Sequence, residues 1–173
     1  MLEIAYSSPF VPVLSRLPGY VRAYRWSSGS AEELGGRTIP HVDLERIDFD
    51  DETFDAVITS EVMQFVRDEE RAHKEILRVL RIGGAHVASI PLDWPWPGMT
   101  CELYDLSGDE PVPLGEERIF RTPDGQELPL MRRFGTDVTS KLRTIGYRTA
   151  LRRSDFLSAT GRRNATLVAI KVS

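Results

Sequence analysis

The middle of the chain has the clearest pattern of hydrophobic and polar positions. Residues 55–60 (DAVITS) and 85–91 (AHVASIP) are short apolar runs without polar alternation, which is typical of strands buried on both faces. Between them, apolar side chains recur at helical spacing, and Asp68 at the start and Gly83–Gly84 at the end predict a helix over 68–82. A strand, a helix and a second buried strand predict a parallel βαβ unit.

The flanking segments predict further elements of an α/β sheet. On the N-terminal side the predictions are strands over 2–5, 20–26 and 41–45, a short helix within 10–17, and a loop with one helical turn over 27–36. On the C-terminal side they are a helix over 137–145, capped by Thr136 and ended by Gly146, and an antiparallel pair of strands over 147–153 and 165–173. Residues 93–130 are rich in proline, glycine and acids and too long for a bare connection, so we expect an excursion over the ligand face of the sheet.

Length and composition indicate one globular domain over 1–173, with 41% apolar and 28% charged residues. No apolar run is long enough to predict a membrane span, and no basic flank precedes the first apolar stretch, so we expect no signal peptide. The lone Cys101 excludes an internal disulfide and predicts a reducing, cytoplasmic location. The three histidines lack metal-ligand spacing, and we expect no metal site.

Charge is distributed unevenly around the net value of −4. Residues 131–173 carry ten basic and two acidic side chains, whereas residues 1–130 carry 12 basic and 24 acidic ones. Three interpretations remain open: the basic segment contacts the acidic body of its own chain, it contacts an acidic partner or second copy, or it binds an anionic ligand. The aromatic interleaving of a nucleic-acid stacking platform is missing, which argues against nucleic-acid binding.

The segment FDAVITSEVMQFVRDEERAHKEILRVLRIGGAHVASIP (54–91) resembles the core of class I S-adenosylmethionine-dependent methyltransferases, of the type 11 kind. The resemblance extends backwards to HVDLERIDF (41–49), and more weakly forwards to FGTDVTSKLRTIGY and ATLVAIKV. It implies a Rossmann-like, mostly parallel sheet with helices on both faces and a terminal antiparallel strand. It also implies S-adenosylmethionine as the methyl donor, bound at the carboxyl ends of the strands.

The first motif of the family falls on residues 3–9 and is degenerate here. The resemblance places Glu3 on the acid of the motif, while Ala5, Ser7 and Pro9 stand where the family has glycines. Glu3, Ala5 and Ser7 are therefore expected cofactor-binding positions, although Pro9 removes a backbone donor. The acid that the family carries after the second strand is also missing, because Arg25, Trp26 and Ser27 follow instead.

Two further positions are implied by the resemblance. Asp43 with Leu44 matches the family's adenine-contacting position; the alternative for Asp43 is a carboxylate that caps the following turn. Ser60 and Glu61 follow a buried strand directly and match the region that lines the donor and acceptor pocket. Glu61 is the candidate general base, with an ordinary helix-start carboxylate as the alternative. The segment 94–97 (WPWP) could wall the acceptor pocket or cover core.

Two hypotheses follow. The first is an enzyme that methylates a small, anionic acceptor, a sugar or a phosphorylated metabolite, as the basic segment suggests. The second is a non-catalytic methyltransferase-like subunit or binding module that has lost the donor site. The missing glycines and the missing acid favour the second, and the 54–91 match favours the first. A protein partner or a homodimer, formed through the acidic body and the basic C-terminal segment, is compatible with both.

Overall fold

The computed structural model describes residues 1–5, 8–23, 32–34, 37–92, 97–122, 125–157 and 163–172. Its helices and strands, in chain order, are β1 (Leu2–Ala5), α1 (Val11–Leu14), β2 (Val21–Ala23), β3 (Glu32–Leu34), β4 (Arg37–Ile39), β5 (Phe54–Ser60), a 3₁₀ turn (Met63–Phe65), α2 (Glu69–Val79), β6 (Leu80–Pro91), β7 (Cys101–Glu102), β8 (Tyr104–Asp105), β9 (Val112–Pro113), β10 (Ile119–Arg121), β11 (Glu127–Pro129), β12 (Arg132–Arg133), α3 (Val138–Thr144), β13 (Tyr147–Leu157) and β14 (Arg163–Lys171).

A six-stranded sheet in the order β13-β14-β6-β5-β1-β2 organises the molecule. Strands β2, β1, β5 and β6 pair in parallel, and β14 pairs antiparallel with both β6 and β13. The expected Rossmann-like sheet, mostly parallel with a terminal antiparallel strand, is therefore confirmed. Among the described elements, the remaining strands form two-stranded hairpins or pairs outside this sheet.

The two faces of the sheet are covered unequally. The connection from β1 to β2 runs towards one edge of the sheet, whereas those from β5 to β6 and from β6 to β13 run towards the other edge. Because crossovers between parallel strands are right-handed, α1 lies on one face of the sheet, and α2 and α3 lie on the opposite face. The α2 face is closed: His86 on β6 is fully buried and its ring lies 5.4 Å from that of His73 on α2. On the opposite face Ile58, Val87 and Val168 are only half-buried. We call this second side the open face.

The central βαβ unit is confirmed, with one correction at the end of its helix. Asp68 caps α2 as expected, since its carboxylate accepts a hydrogen bond from the Arg71 amide at 2.9 Å. The helix ends at Val79, not at residue 82, because the fully buried Leu80 already pairs with Phe54 as part of β6. Gly83 and Gly84 lie within β6, beside an irregularity in its register with β5. Gly83 has φ +79°, a conformation that favours glycine.

Other predicted elements differ locally. No strand forms over 41–45, where His41 and Asp43 take part in isolated bridges, that of Asp43 to Arg46. The helix predicted within 10–17 is the single turn α1. Thr136 does not cap α3; the N-cap residue is Asp137, whose carboxylate instead accepts hydrogen bonds from the backbone and hydroxyl of Thr100. The predicted loop over 27–36 contains β3, and its residues 27–31 and 35–36 lie outside the described residues. The same holds for residues 24–26, the end of the strand predicted over 20–26.

Among the described residues, three basic side chains of the C-terminal segment pair with acids of the acidic part of the same chain. Buried Arg132 pairs with Glu102 at 3.1 Å and with Glu69 at 3.6 Å, and Lys141 also reaches Glu69, at 3.5 Å. Lys171 lies 3.4 Å from Glu52. Contact within one chain, the first of the three interpretations of the charge pattern, therefore accounts for part of it. In the described part of the chain, no helix is long and apolar enough to cross a membrane.

Candidate functional site

Three predicted site residues meet at the carboxyl end of the parallel strands. Ala5, the last residue of β1, pairs with Ser60, the last residue of β5, and Ser60 pairs with Ser89 of β6. Glu61 follows Ser60 directly. Ligands of open α/β sheets bind at this edge, so the strand register brings together residues that are far apart in the sequence. The predicted Ser7, the departures at Arg25, Trp26 and Ser27, and the segment 93–96 lie outside the described residues.

Glu61 is held by both its backbone and its side chain. Its φ of +53° is a left-handed conformation that costs free energy for a residue other than glycine. Its amide donates to the Ser89 carbonyl at 3.0 Å, which extends the parallel ladder by one residue. Its carboxylate accepts a hydrogen bond from Asn164 Nδ2 at 2.6 Å, and the same Nδ2 donates to Ser89 Oγ at 3.0 Å. Strained backbone of this kind is common at functional sites.

Asn164 is a site residue that the sequence analysis missed. It lies at the start of β14 and pairs with Pro91, the last residue of β6. Because β14 is antiparallel, its first residues lie at the same edge as the carboxyl ends of the parallel strands. A polar residue just before the apolar run ATLVAI was the only signal in the sequence.

Two buried amide oxygens beside Glu61 have no hydrogen-bond partner among the described residues. Gln64 Nε2 donates to the Glu61 carbonyl at 2.9 Å, which leaves Gln64 Oε1 as a free acceptor. Asn164 Nδ2 is engaged by Glu61, which leaves Asn164 Oδ1 free as well. Both side chains are more than nine-tenths buried. An unsatisfied buried acceptor is costly, and at a site it indicates a place for a ligand that donates hydrogen bonds.

Glu3 is fully buried in the middle of β1, two residues before the edge. Its carboxylate accepts hydrogen bonds from the hydroxyls of Ser8 and Tyr20. Burial, followed by the hydrogen bond to Glu3, raises the pKa of Tyr20. The acid of the degenerate motif is thus bound by the protein's own hydroxyl groups in this conformation.

Asp43 and Leu44 have different environments. Leu44 is fully buried in the hydrophobic core. Asp43 is exposed, and its Oδ1 accepts a hydrogen bond from the Glu45 amide at 2.9 Å, which is the turn-capping role considered above. Asp43 also lines a cleft of about 410 Å³, within the range of small-molecule sites. The other residues that line the cleft are His41, Glu45, Phe65, Arg67, Leu128 and Pro129.

Two of the three histidines, His73 and His86, lie away from the carboxyl end of the strands. His73 and His86 lie on the closed face, fully or almost fully buried, and His86 Nε2 lies 2.9 Å from Thr59 Oγ1. Burial lowers the pKa of both, that of His86 to about 3. The described residues contain no group of three or more side chains arranged to hold a metal ion.

Comparisons with known proteins agree with this geometry. Residues 22–88 match the sequence profile of a methyltransferase domain family. No curated protein sequence matches the chain significantly. Among solved structures, a SAM-dependent methyltransferase from Methanosarcina mazei is 17% identical, with a TM-score of 0.64; the match covers 99% of this chain and 91% of that one.

Two other solved structures are similar. One is a putative methyltransferase from Haloferax volcanii in complex with the Trm112 methyltransferase activator: identity is 13%, the TM-score 0.61, and coverage 99% and 82% of the two chains. The other is the glycopeptide N-methyltransferase MtfA complexed with S-adenosyl-L-methionine: identity is 15%, the TM-score 0.61, and coverage 99% and 81%.

The fold is that of a Rossmann-like class I methyltransferase. The match of the central segment to the methyltransferase domain confirms the family resemblance that the sequence indicated.

Proposed function

We propose that the protein transfers a methyl group from S-adenosylmethionine to a small acceptor. The single observation that carries the proposal is the arrangement at the strand ends, where Ala5, Ser60 and Glu61 meet beside two unsatisfied buried acceptors. S-adenosylmethionine supplies a methyl group that its sulfonium already activates. The family match of residues 22–88 and the solved relative with bound S-adenosyl-L-methionine support this choice of cofactor.

The residues at the site fit such a donor. It carries an amine and ribose hydroxyls, which donate hydrogen bonds, and Glu61, Gln64 and Asn164 offer carboxylate or amide oxygens to receive them. Ala5 has the smallest side chain after glycine and stands at the end of β1, where close approach of a ligand to the backbone is needed. We propose Glu3, Ala5, Ser7, Asp43, Leu44, Ser60 and Glu61 as the cofactor-binding set, with Gln64 and Asn164 added.

The chain's own residues would align the acceptor and exclude water, which is the main requirement once the methyl group is activated. Glu61 is our candidate general base for an acceptor that must lose a proton. Of the two acceptor classes, sugars and phosphorylated metabolites, we favour a sugar, because an uncharged acceptor needs no cation at the site. A phosphate would need cations, and among the described residues no basic side chain forms an ion pair or a side-chain hydrogen bond with Glu61, Gln64 or Asn164.

A non-catalytic subunit is the second candidate function. The observation that favours it is the engagement of Glu3 by Ser8 and Tyr20, which occupies the acid of the first motif. The complex of the H. volcanii relative with an activator protein supports a protein partner for this chain as well. For either function we propose a single domain that acts in the cytoplasm, consistent with one exposed, free cysteine at Cys101.

Thermal unfolding with S-adenosylmethionine and its demethylated product tests the proposal. A ligand present at 100 times its Kd adds about 2.7 kcal/mol, which raises the midpoint of a domain of this size by about 5–10 °C. We expect a saturable rise that is reduced in Glu61→Gln and unchanged in Glu70→Gln, the same substitution at an exposed acid on α2. No rise at saturating concentrations would support the non-catalytic alternative and exclude the enzyme.

A further inference from the structure

The open face is apolar in its centre and basic at one edge. Ile58, Val87 and Val168 form a row across three neighbouring strands, and the row continues to Ala150 on β13. Side chains two residues apart on a strand share a face, so Arg148 and Arg152 flank Ala150 on this same side. Both arginines are exposed.

Neither arginine is neutralised by an acid among the residues that the structure describes. Within the described part of the chain, neither forms an ion pair, in contrast to Arg132, Lys141 and Lys171. The one-turn α1 lies on the same side and leaves Phe10 and Val13 more than half exposed, with no buried residue of its own. Parallel sheets normally have both faces covered, so this face has room for an apolar, acidic occupant.

The chain itself presents such a surface. Strands β8 and β9 form a hairpin, and residues 104–117, which we call the acidic hairpin, contain five acids and no basic residue. Val112 and Leu114 in this segment are 59% and 64% exposed. The acids Asp105, Asp109, Glu110 and Glu116 are exposed and form no ion pair among the described residues.

The acidic hairpin is held in a fixed conformation, which makes it a preformed surface. The Arg67 guanidinium donates to the backbone carbonyls of Leu106, Gly108 and Asp109. Because these carbonyls are already fixed, less entropy is lost when the hairpin docks.

We infer that the protein forms a two-fold dimer in which the acidic hairpin of each copy docks on the open face of the other. The contact joins an apolar, basic surface to an apolar, acidic one. Because the dimer has two-fold symmetry, the same contact occurs twice, once from each copy. The proposal concerns the partner of this chain and does not depend on donor binding, so its failure and that of the proposed function would be seen in different measurements.

Sedimentation equilibrium of the full chain at low and high salt tests the dimer. We expect concentration-dependent dimerisation that weakens with salt, because charges on exposed surfaces are screened. The double variant R148E/R152E should weaken dimerisation by at least about tenfold, or 1.4 kcal/mol. The control is Lys74→Glu, which reverses one basic charge, half the change of the double variant, at an exposed site on α2 on the other side of the sheet, and it should leave dimerisation unchanged.

A charge swap makes the test specific. D109K/E110K should also be monomeric, but mixing it with R148E/R152E should restore a mixed dimer, because both contacts then join opposite charges. A wild-type chain that stays monomeric at low salt would overturn the proposal, as would a dimer that R148E/R152E leaves intact or a mixture that stays monomeric. Circular dichroism of each variant shows whether it is folded.

Discussion

Asn164 Nδ2 donates to Glu61 Oε1 across 2.6 Å, joining the first part of the last strand to the residue that follows β5. The contact spans 103 positions in the sequence. It fixes the orientation of the Asn164 amide, since a carboxylate can only accept, and it thereby leaves Oδ1 as a free acceptor. One hydrogen bond therefore determines which atoms the site offers to a ligand.

Replacing Asn164 by aspartate should destabilise the protein through repulsion of the Glu61 carboxylate. The side chain keeps its size, but a charge-assisted hydrogen bond becomes a contact between two acids, at a cost of about 1–3 kcal/mol at neutral pH. The loss relative to wild type should shrink as pH falls, because one of the two acids then binds a proton. Urea unfolding at several pH values measures this loss of unfolding free energy. Asn164→Ala is the control, because it removes the amide without adding a charge. A loss that does not vary with pH would contradict this account.

The βαβ centre could be predicted from sequence because its signals are local. Residues 55–60 and 85–91 are continuous apolar runs, and Asp68 caps a helix within its own turn. The end of α2 could not be predicted from sequence, because it is determined by the pairing of Leu80 with Phe54, which belongs to another strand.

Part of the site could also be predicted, because Ser60 and Glu61 follow a recognisable strand. Asn164 could not, since its place depends on the antiparallel register of β14 against β6. The engagement of Glu3 by Tyr20 was likewise hidden, because the hydroxyl comes from a residue 17 positions away, beyond α1.

The buried histidine pair should make stability fall in acid. In the folded state the pKa values of His73 and His86 are lowered, whereas the unfolded chain binds protons near pH 6.5. Below pH 6.5 the unfolded state therefore binds more protons, and the free energy of unfolding decreases as pH falls towards the folded-state pKa values. Between pH 6.5 and 5 the loss should be about 1.6 kcal/mol for His86, because the unfolded imidazole is already half protonated at pH 6.5. Glu69, near His73, opposes part of it, because burial raises the pKa of Glu69.

Urea unfolding between pH 7 and 5 measures this slope. His86→Gln should make it shallower, because the variant removes one of the two buried imidazoles. A stability that is constant from pH 7 to 5 in the wild type would show that the pair is not kept neutral by burial.

Arg132 should be among the most important charged residues for stability. Its side chain is 2% exposed, and it donates to the backbone carbonyls of Val66 and Arg67 while it pairs with Glu102. Its second carboxylate partner, Glu69, is only 10% exposed, and removing one partner of such a buried ion pair costs about 3–5 kcal/mol. Arg132→Ala should lose this much in urea unfolding, whereas Arg133→Ala, an exposed neighbour on β12, should change stability by less than about 0.5 kcal/mol. Equal effects of the two variants would rule out a special role for Arg132.

Tyr20→Phe should separate the two candidate functions. The variant removes one of the two hydroxyl groups that donate to buried Glu3, and an unsatisfied buried acceptor costs about 1–3 kcal/mol of stability. Tyr104→Phe is the matched control, because its hydroxyl donates at 2.9 Å to an exposed carboxylate, that of Glu117, which water can satisfy.

The donor experiment repeats both variants with S-adenosylmethionine. If Glu3 serves the donor site, the ligand must displace the Tyr20 hydroxyl from the Glu3 carboxylate. Removing this hydroxyl in Tyr20→Phe should therefore increase the ligand-induced rise in the unfolding midpoint relative to wild type. If the protein has become a non-catalytic subunit in which Glu3 only supports the fold, Tyr20→Phe loses stability and gains no response to the ligand. The enzyme hypothesis predicts the first result, because a carboxylate freed of an internal donor is available to the amine or hydroxyl groups of the ligand.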